Sequence, residues 1–224
     1  MERVVVSIGG SIIDYEDVAF LKRLGRTLRD AGREVKLYIV AGGGKFSRLY
    51  ISAGRDLGAD ERYLDWMGIR ATRVNAMLLS AAIGEDANPY PPTSYSDAIS
   101  RAKKAGIVVM GGTRPGRTTD GVAARLAQKV RAKRLINATD VDGVYSRDPK
   151  RYRNAKRIGS MSHDELIAIS AGTEGKAGPT IVFDAVGSRI AKRAGIPLLV
   201  LDGKDLSSLK SAILGKRFSG TIVR

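Results

Sequence analysis

Four clusters of residues in this chain combine small size, hydroxyls and charge in a way that suits phosphate chemistry. Gly9-Gly10-Ser11 follows the apolar run from Val4 to Ile8, and Gly42-Gly43-Gly44-Lys45 follows a second run from Val35 to Ala41. Successive glycines let backbone N–H groups approach an anion, and a helix starting just beyond them adds a favourable field. Neither loop has Walker A spacing, and either one alone also fits an ordinary strand-to-helix turn. The third cluster, Gly111-Gly112-Thr113-Arg114-Pro115-Gly116-Arg117-Thr118-Thr119-Asp120, gathers three glycines, three hydroxyls, two guanidiniums and a carboxylate. Arginine forks and hydroxyls suit a phosphate or a sugar edge. The fourth cluster runs from Asn137 to Pro149 and contains Thr139, Asp140, Asp142, Gly143, Tyr145 and Asp148.

The segments between these clusters alternate between strand and helix patterns. Val4–Ile8, Val35–Ala41, Ile107–Met110 and Leu135–Ala138 read as buried strands. Asp17 is placed to cap a helix carrying Val18, Leu21, Leu24 and Leu28 on one stripe. A helix is expected from Phe46 to Leu57, a longer one from Asp60 to Ile83 that Gly68 could bend, and another from Tyr95 to Ala105. Further helices are expected at Thr119–Val130, at Asp164–Ala171 behind a Ser162/Glu165 capping box, at Asp184–Ala194 and at Leu206–Leu214. Strands at Pro197–Leu201 and Thr221–Val223 complete the pattern. Such alternation implies a mainly parallel sheet covered on both faces, with ligands at the carboxyl ends of its strands.

The 224 residues, 43% apolar, are enough for one domain with a substantial core. There is no cysteine, which excludes disulfides and thiolate metal sites. No signal-peptide pattern precedes the first strand, and no apolar run approaches the ~20 residues that span a bilayer, so a cytoplasmic protein without membrane association is expected. The net charge of +15 is spread over short basic pairs, and aromatic residues are only 6%, which argues against nucleic acid as the main partner and for a small anionic substrate.

Taken in order, G-G-S, G-G-G-K, G-G-T-x-P-G-x-T-T-D and T-x-V-D-G-V-Y-x-x-D-P resemble the signatures of the amino acid kinase family, in particular its archaeal-type UMP kinases. The stretch Gly68-Ile69-x-Ala71-Thr72-Arg73-x-Asn75-Ala76 adds to the likeness, which covers essentially the whole chain. The resemblance implies a three-layer αβα sandwich, an acceptor-binding half over about residues 1–130 and an ATP-binding half over about 131–224. It implies that Gly9, Gly10, Ser11, Gly44 and Arg48 face the ATP phosphates, and that Thr139, Asp140, Tyr145 and Asp148 hold the nucleoside. Gly43, Asp65 and the loop Thr113, Arg114, Pro115, Gly116, Arg117, Thr118 and Thr119 would hold UMP. The implied reaction is phosphoryl transfer from ATP to UMP, with Mg2+ arriving on ATP and the protein assembled as a homohexamer of dimers.

The chain departs from the wider family at several of these positions. Many members carry lysine where this chain has Ser7, so Lys45 becomes the candidate for neutralising the transferred group, with Asp120 orienting the groups around it. Asp140 stands where asparagine is usual, and Arg114 and Arg117 stand where histidines are usual. His163, the single histidine, is expected at the surface, and Asp14 with Asp17 reads as a helix cap rather than a metal pair. The rival readings are a kinase for another small monophosphate or acid, and a nucleotide-binding sensor or storage protein without catalysis.

Overall fold

The computed structural model describes residues 1–147, 149, 152–172 and 182–224; Asp148, assigned above to the nucleoside site, lies outside them. Among the described residues the order is β1 (Arg3–Ile8), α1 (Val18–Gly32), β2 (Lys36–Ala41), α2 (Gly44–Asp56), α3 (Glu61–Ile83), α4 (Tyr95–Arg101), β3 (Ile107–Met110) and α5 (Thr119–Val130). There follow β4 (Arg134–Thr139), β5 (Val144–Tyr145), β6 (Arg157–Ile158), β7 (Ser160–Met161), α6 (His163–Gly172), α7 (Ala185–Arg193), β8 (Leu198–Asp202), α8 (Leu206–Ile213) and β9 (Thr221–Val223). A seven-stranded sheet runs β3-β2-β1-β4-β8-β9-β7, and β5 pairs with β6 separately.

Strand β1 lies between β2 and β4, parallel to both, with Val4 opposite Leu37 on one side and Arg134 on the other. Its side chains alternate between the two faces. Val4, Val6 and Ile8 join the core under α1, α3 and α8, whereas Val5 joins the core under α5 and α7. Both faces are therefore dry, which is why these strands read as unbroken apolar runs. Strand β9 is antiparallel to β8, so the sheet is mainly rather than wholly parallel.

Most helix starts follow the sequence reading. Asp17, Asp60, Ser94, Thr118, Asp184 and Asp205 each accept a hydrogen bond from a backbone N–H in the first turn of the helix they precede. Helix α3 runs unbroken through Gly68, where the missing side chain admits Ile51 of α2. His163 corrects an expectation: it is buried, with Nε2 3.2 Å from the Ile196 carbonyl. The Ser162/Glu165 capping box forms as expected, but the first residue of α6 turns inward under the start of β8, and burial lowers the imidazole pKa. No helix among the described residues is long and apolar enough to cross a membrane.

Candidate functional site

The order of the strands opens a crevice at their carboxyl ends. The chain leaves β1 toward β2 on one side and later returns to β4 on the other, so the loops after β1 and β4 diverge. The loops after β1 and β2 are interlocked backbone to backbone. A Cβ on Gly10 would lie 2.0 Å from the Gly44 nitrogen, and one on Gly44 would lie 2.2 Å from the Gly10 oxygen. Gly44 also has φ +61°, which glycine adopts without strain.

This interlock sets the start of α2. Its N-cap, Gly43, has no side chain, and no side-chain cap hydrogen bond is made there, in contrast to the six capped helices above. The first amides of α2 are therefore left for an anion. Lys45 stands on this first turn, its side chain 68% exposed and 4.0 Å from Glu16. An ion pair that open is weak, and the ammonium is available to a ligand.

A cavity of about 240 Å3 adjoins this turn, and Gly43, Gly44, Arg48, Asp65, Pro115, Arg117 and Thr119 are among its lining residues. Arg48 and Gly44, which the resemblance implied for the ATP phosphates, thus border the same space as Asp65. Asp65 accepts a hydrogen bond from the Gly116 N–H at 2.8 Å, and Gly116 takes φ +73°. The turn at Pro115-Gly116 is thereby pinned to α3. Thr113 has a buried hydroxyl without a hydrogen-bond partner, an orphan of the kind that a ligand satisfies.

The two arginines of this loop part company. Arg117 lines the cavity but donates to the Tyr95 hydroxyl at 3.2 Å. Arg114 borders a second hollow with Tyr95, Arg125 and Lys129, which Arg117 also lines, so Arg117 stands between the two spaces and Arg114 reaches only one. Thr118 also turns away: its hydroxyl donates to Asp184 and accepts from the Gly121 N–H.

Asp120 opens α5 at the centre of the site. It accepts from the Ser7 hydroxyl at 3.1 Å, so its partner on β1 is a neutral donor. Burial is the main cause pushing the Asp120 pKa up to about 7 from 3.8, and the nearby Asp184 carboxylate pushes the same way. The hydrogen bonds from Ser7 and from the Asp184 backbone oppose the shift and do not cancel it. Sequence reasoning took Asp184 only as the start of a helix. Its contacts with Thr118 and Asp120, between the starts of α7 and α5, gave no signal in the sequence.

On the far side of the crevice, Gly9 continues the sheet ladder to Ala138 at 2.8 Å, and Ser11 is exposed in the turn that follows. Thr139 ends β4, and its hydroxyl donates to Asp140 at 3.2 Å. The Tyr145 hydroxyl donates to Asp142 at 2.8 Å, and this bond to a carboxylate raises the phenol pKa. Asp142 also pairs with Arg157 at 2.8 Å. Among the described residues no group of three or more histidines, cysteines or carboxylates gathers to cage a metal.

A family model described as the amino acid kinase family matches residues 2–202. A uridylate kinase of Methanocorpusculum labreanum is 44% identical over 100% of this chain and 96% of its own length. One of Thermococcus onnurineus is 40% identical over 99% of both chains. The crystal structure of a uridylate kinase from Archaeoglobus fulgidus superposes with a TM-score of 0.90 at 37% identity, covering both chains completely. A UMP kinase from Ureaplasma parvum, at 24% identity, shares the fold with a TM-score of 0.79.

Proposed function

The chain belongs to the amino acid kinase family, and from that premise we propose that it transfers the γ-phosphoryl group of ATP to UMP, giving ADP and UDP. The observation that carries this reading is the uncapped start of α2, fixed by the Gly10–Gly44 interlock and opening onto the cavity that holds Asp65 and the third loop. Relatives named uridylate kinase over the full length support the choice of acceptor.

In this reading the transferred group lies over the first turn of α2. In-line phosphoryl transfer asks a protein mainly for position and positive charge. The α2 amides and Lys45 supply the charge, and Asp120 orients the groups around the transferred phosphoryl. Gly9, Gly10, Ser11, Gly44 and Arg48 border the ATP phosphates, and Thr139, Asp140 and Tyr145 flank the nucleoside. Asp65, Gly43 and the loop from Thr113 to Thr119 hold UMP, with Asp65 exchanging its Gly116 contact for a ribose hydroxyl. Mg2+ would arrive bound to ATP, where it would spread the charge of the phosphates. The acceptor half is about residues 1–130 and the ATP half about 131–224.

The assembly expected is a homohexamer of dimers in the cytoplasm. Helix α3 supports it, since Tyr63, Trp66, Val74 and Met77 stand exposed along its length and form an apolar stripe suited to a second copy. The mass of the protein in solution tests that assembly.

ADP release measured across UMP, CMP, AMP, GMP, acetylglutamate and aspartate tests the activity itself. UMP should be turned over far faster than the purine nucleotides and the acids. Turnover of UMP no faster than in a Lys45→Ala variant would overturn the reading and favour a nucleotide sensor.

A further inference from the structure

Helix α3 does more than cover the sheet. Its inner face holds two ligand loops by their backbones, through side chains that the sequence likeness singled out without a role. Asn75, buried, donates from Nδ2 to the carbonyls of Gly42 at 2.8 Å and Gly43 at 3.1 Å. Thr72, also buried, accepts from the Gly112 N–H at 2.7 Å while donating to Ile69 O one turn back at 2.6 Å. Arg73 donates from Nε to Gly112 O at 3.1 Å and from Nη2 to Thr113 O at 3.3 Å. The loop after β2 and the loop after β3 are thus fastened to one rigid element within about one helical turn.

The fit leaves little room for slippage. A Cβ on Gly111 would come within 2.6 Å of the Thr72 hydroxyl and 2.8 Å of the Arg73 nitrogen, so the loop lies directly on the helix. Thr72 uses its hydroxyl as donor and acceptor at once, a pairing that valine, of similar shape, does not offer. Asn75 uses both amide protons on neighbouring carbonyls. Thr72 and Asn75 are buried and Arg73 is half-buried, so solvation alone does not explain their types.

We infer that Thr72, Arg73 and Asn75 are positioning residues that set the distance between the phosphate loop at Gly42–Gly44 and the acceptor loop at Gly112–Thr113. This rests on the phosphoryl-transfer reading above. Transfer needs reacting atoms about 3–3.5 Å apart, and a misplacement of about 1 Å costs on the order of 10²-fold in rate. A helix spanning both loops fixes that separation before either ligand arrives. ATP alone is indifferent to it, because its phosphates meet only the first loop; UMP, held at Gly43 and at the third loop, senses it in part. A ligand that joins both nucleotides senses the gauge in full.

A bisubstrate probe reads that separation directly: adenosine and uridine joined through their 5′ oxygens by five phosphates. The variants are Thr72→Val, its conservative partner Thr72→Ser, and Leu28→Ala, which damages the core under α1 without touching either loop. In Thr72→Val the affinity for the probe should fall about 10-fold or more and kcat by a similar factor. The Kd for ATP measured alone should stay within about 3-fold of the native protein, and that for UMP should weaken by less than that for the probe. Thr72→Ser keeps the hydroxyl and should restore probe binding to within about 3-fold. Leu28→Ala should lower the melting temperature while leaving the ratio of probe to mononucleotide affinity unchanged. Equal weakening of probe and mononucleotides in Thr72→Val, or an unchanged probe affinity, would overturn the inference. A native protein that binds the probe no more tightly than ATP alone would instead overturn the kinase reading on which it rests.

Discussion

The two rims of the crevice are built differently. On the β2–β3 side, loops are held through backbone atoms by buried groups: the Gly10–Gly44 interlock, and Thr72 and Asn75 of α3. On the β4 side, the stretch from Asp140 to Tyr145 is held by the Val144 N–H donated to Thr221 at 2.8 Å and by the short pairing of β5 with β6. Its side-chain ties, Tyr145 with Asp142 and Arg157 with Asp142, are partly open to water. Backbone ties in a dry setting hold a loop to a fraction of an ångström, whereas exposed ion pairs are screened and contribute little. The difference suits the division of labour proposed above. Phosphates must meet at a fixed distance, while a nucleoside needs only to be retained.

Three experiments bear on this contrast. The largest effect is expected at Gly44→Ala. The new Cβ meets the Gly10 backbone rather than a movable side chain, and alanine is disfavoured at φ +61°. Turnover should fall by about 10²-fold or more, and urea denaturation should show a loss of about 2–3 kcal/mol. Near-native activity in this variant would mean that the interlock yields.

Asp120→Asn should give an intermediate effect, visible in stability against pH without ligand. The folded-state pKa, about 7, lies above the unfolded value of 3.8, so the folded protein holds this proton more tightly. No penalty exists below pH 4, where both states are protonated. Native stability is then lost as pH rises toward about 7 and levels off above it. The asparagine variant lacks this loss and should gain on the native protein by about 2–4 kcal/mol between pH 4 and pH 8, while losing activity. Parallel stability profiles would remove the burial argument.

The smallest effect belongs to the looser rim. Asp142→Ala should raise the KM for ATP by about 2–5-fold, leave that for UMP unchanged, and matter less in high salt. An effect as large as that of Gly44→Ala would erase the contrast between the rims.

Much of this was legible in the sequence where local chemistry decides. The caps at Asp17, Thr118 and Asp184 and the strands Val4–Ile8 and Ile107–Met110 follow from patterns within a few residues. The position of β1 between β2 and β4 is not written locally, nor is the meeting of Ser7 with Asp120 or of Thr118 with Asp184. His163 failed for the same reason, since its capping box is local and its burial against Ile196 is not. Thr72, Arg73 and Asn75 were visible as a motif, but their role depends on which loops fold against α3.

The sheet order also bears on how such an enzyme can evolve. The line proposed above between an acceptor half and an ATP half falls between β1 and β4, hydrogen-bonded neighbours in the middle of a single sheet. Parting them would leave two long open strand edges, and Ser7 and Asp120, both of the acceptor half, would lose the Asp184 side of the site. The halves are therefore not interchangeable modules, and recombination between relatives at that line is a poor route to new acceptors. Variation is channelled into the loops at the strand ends, where a changed residue alters what is bound and leaves the ladder of hydrogen bonds beneath it untouched.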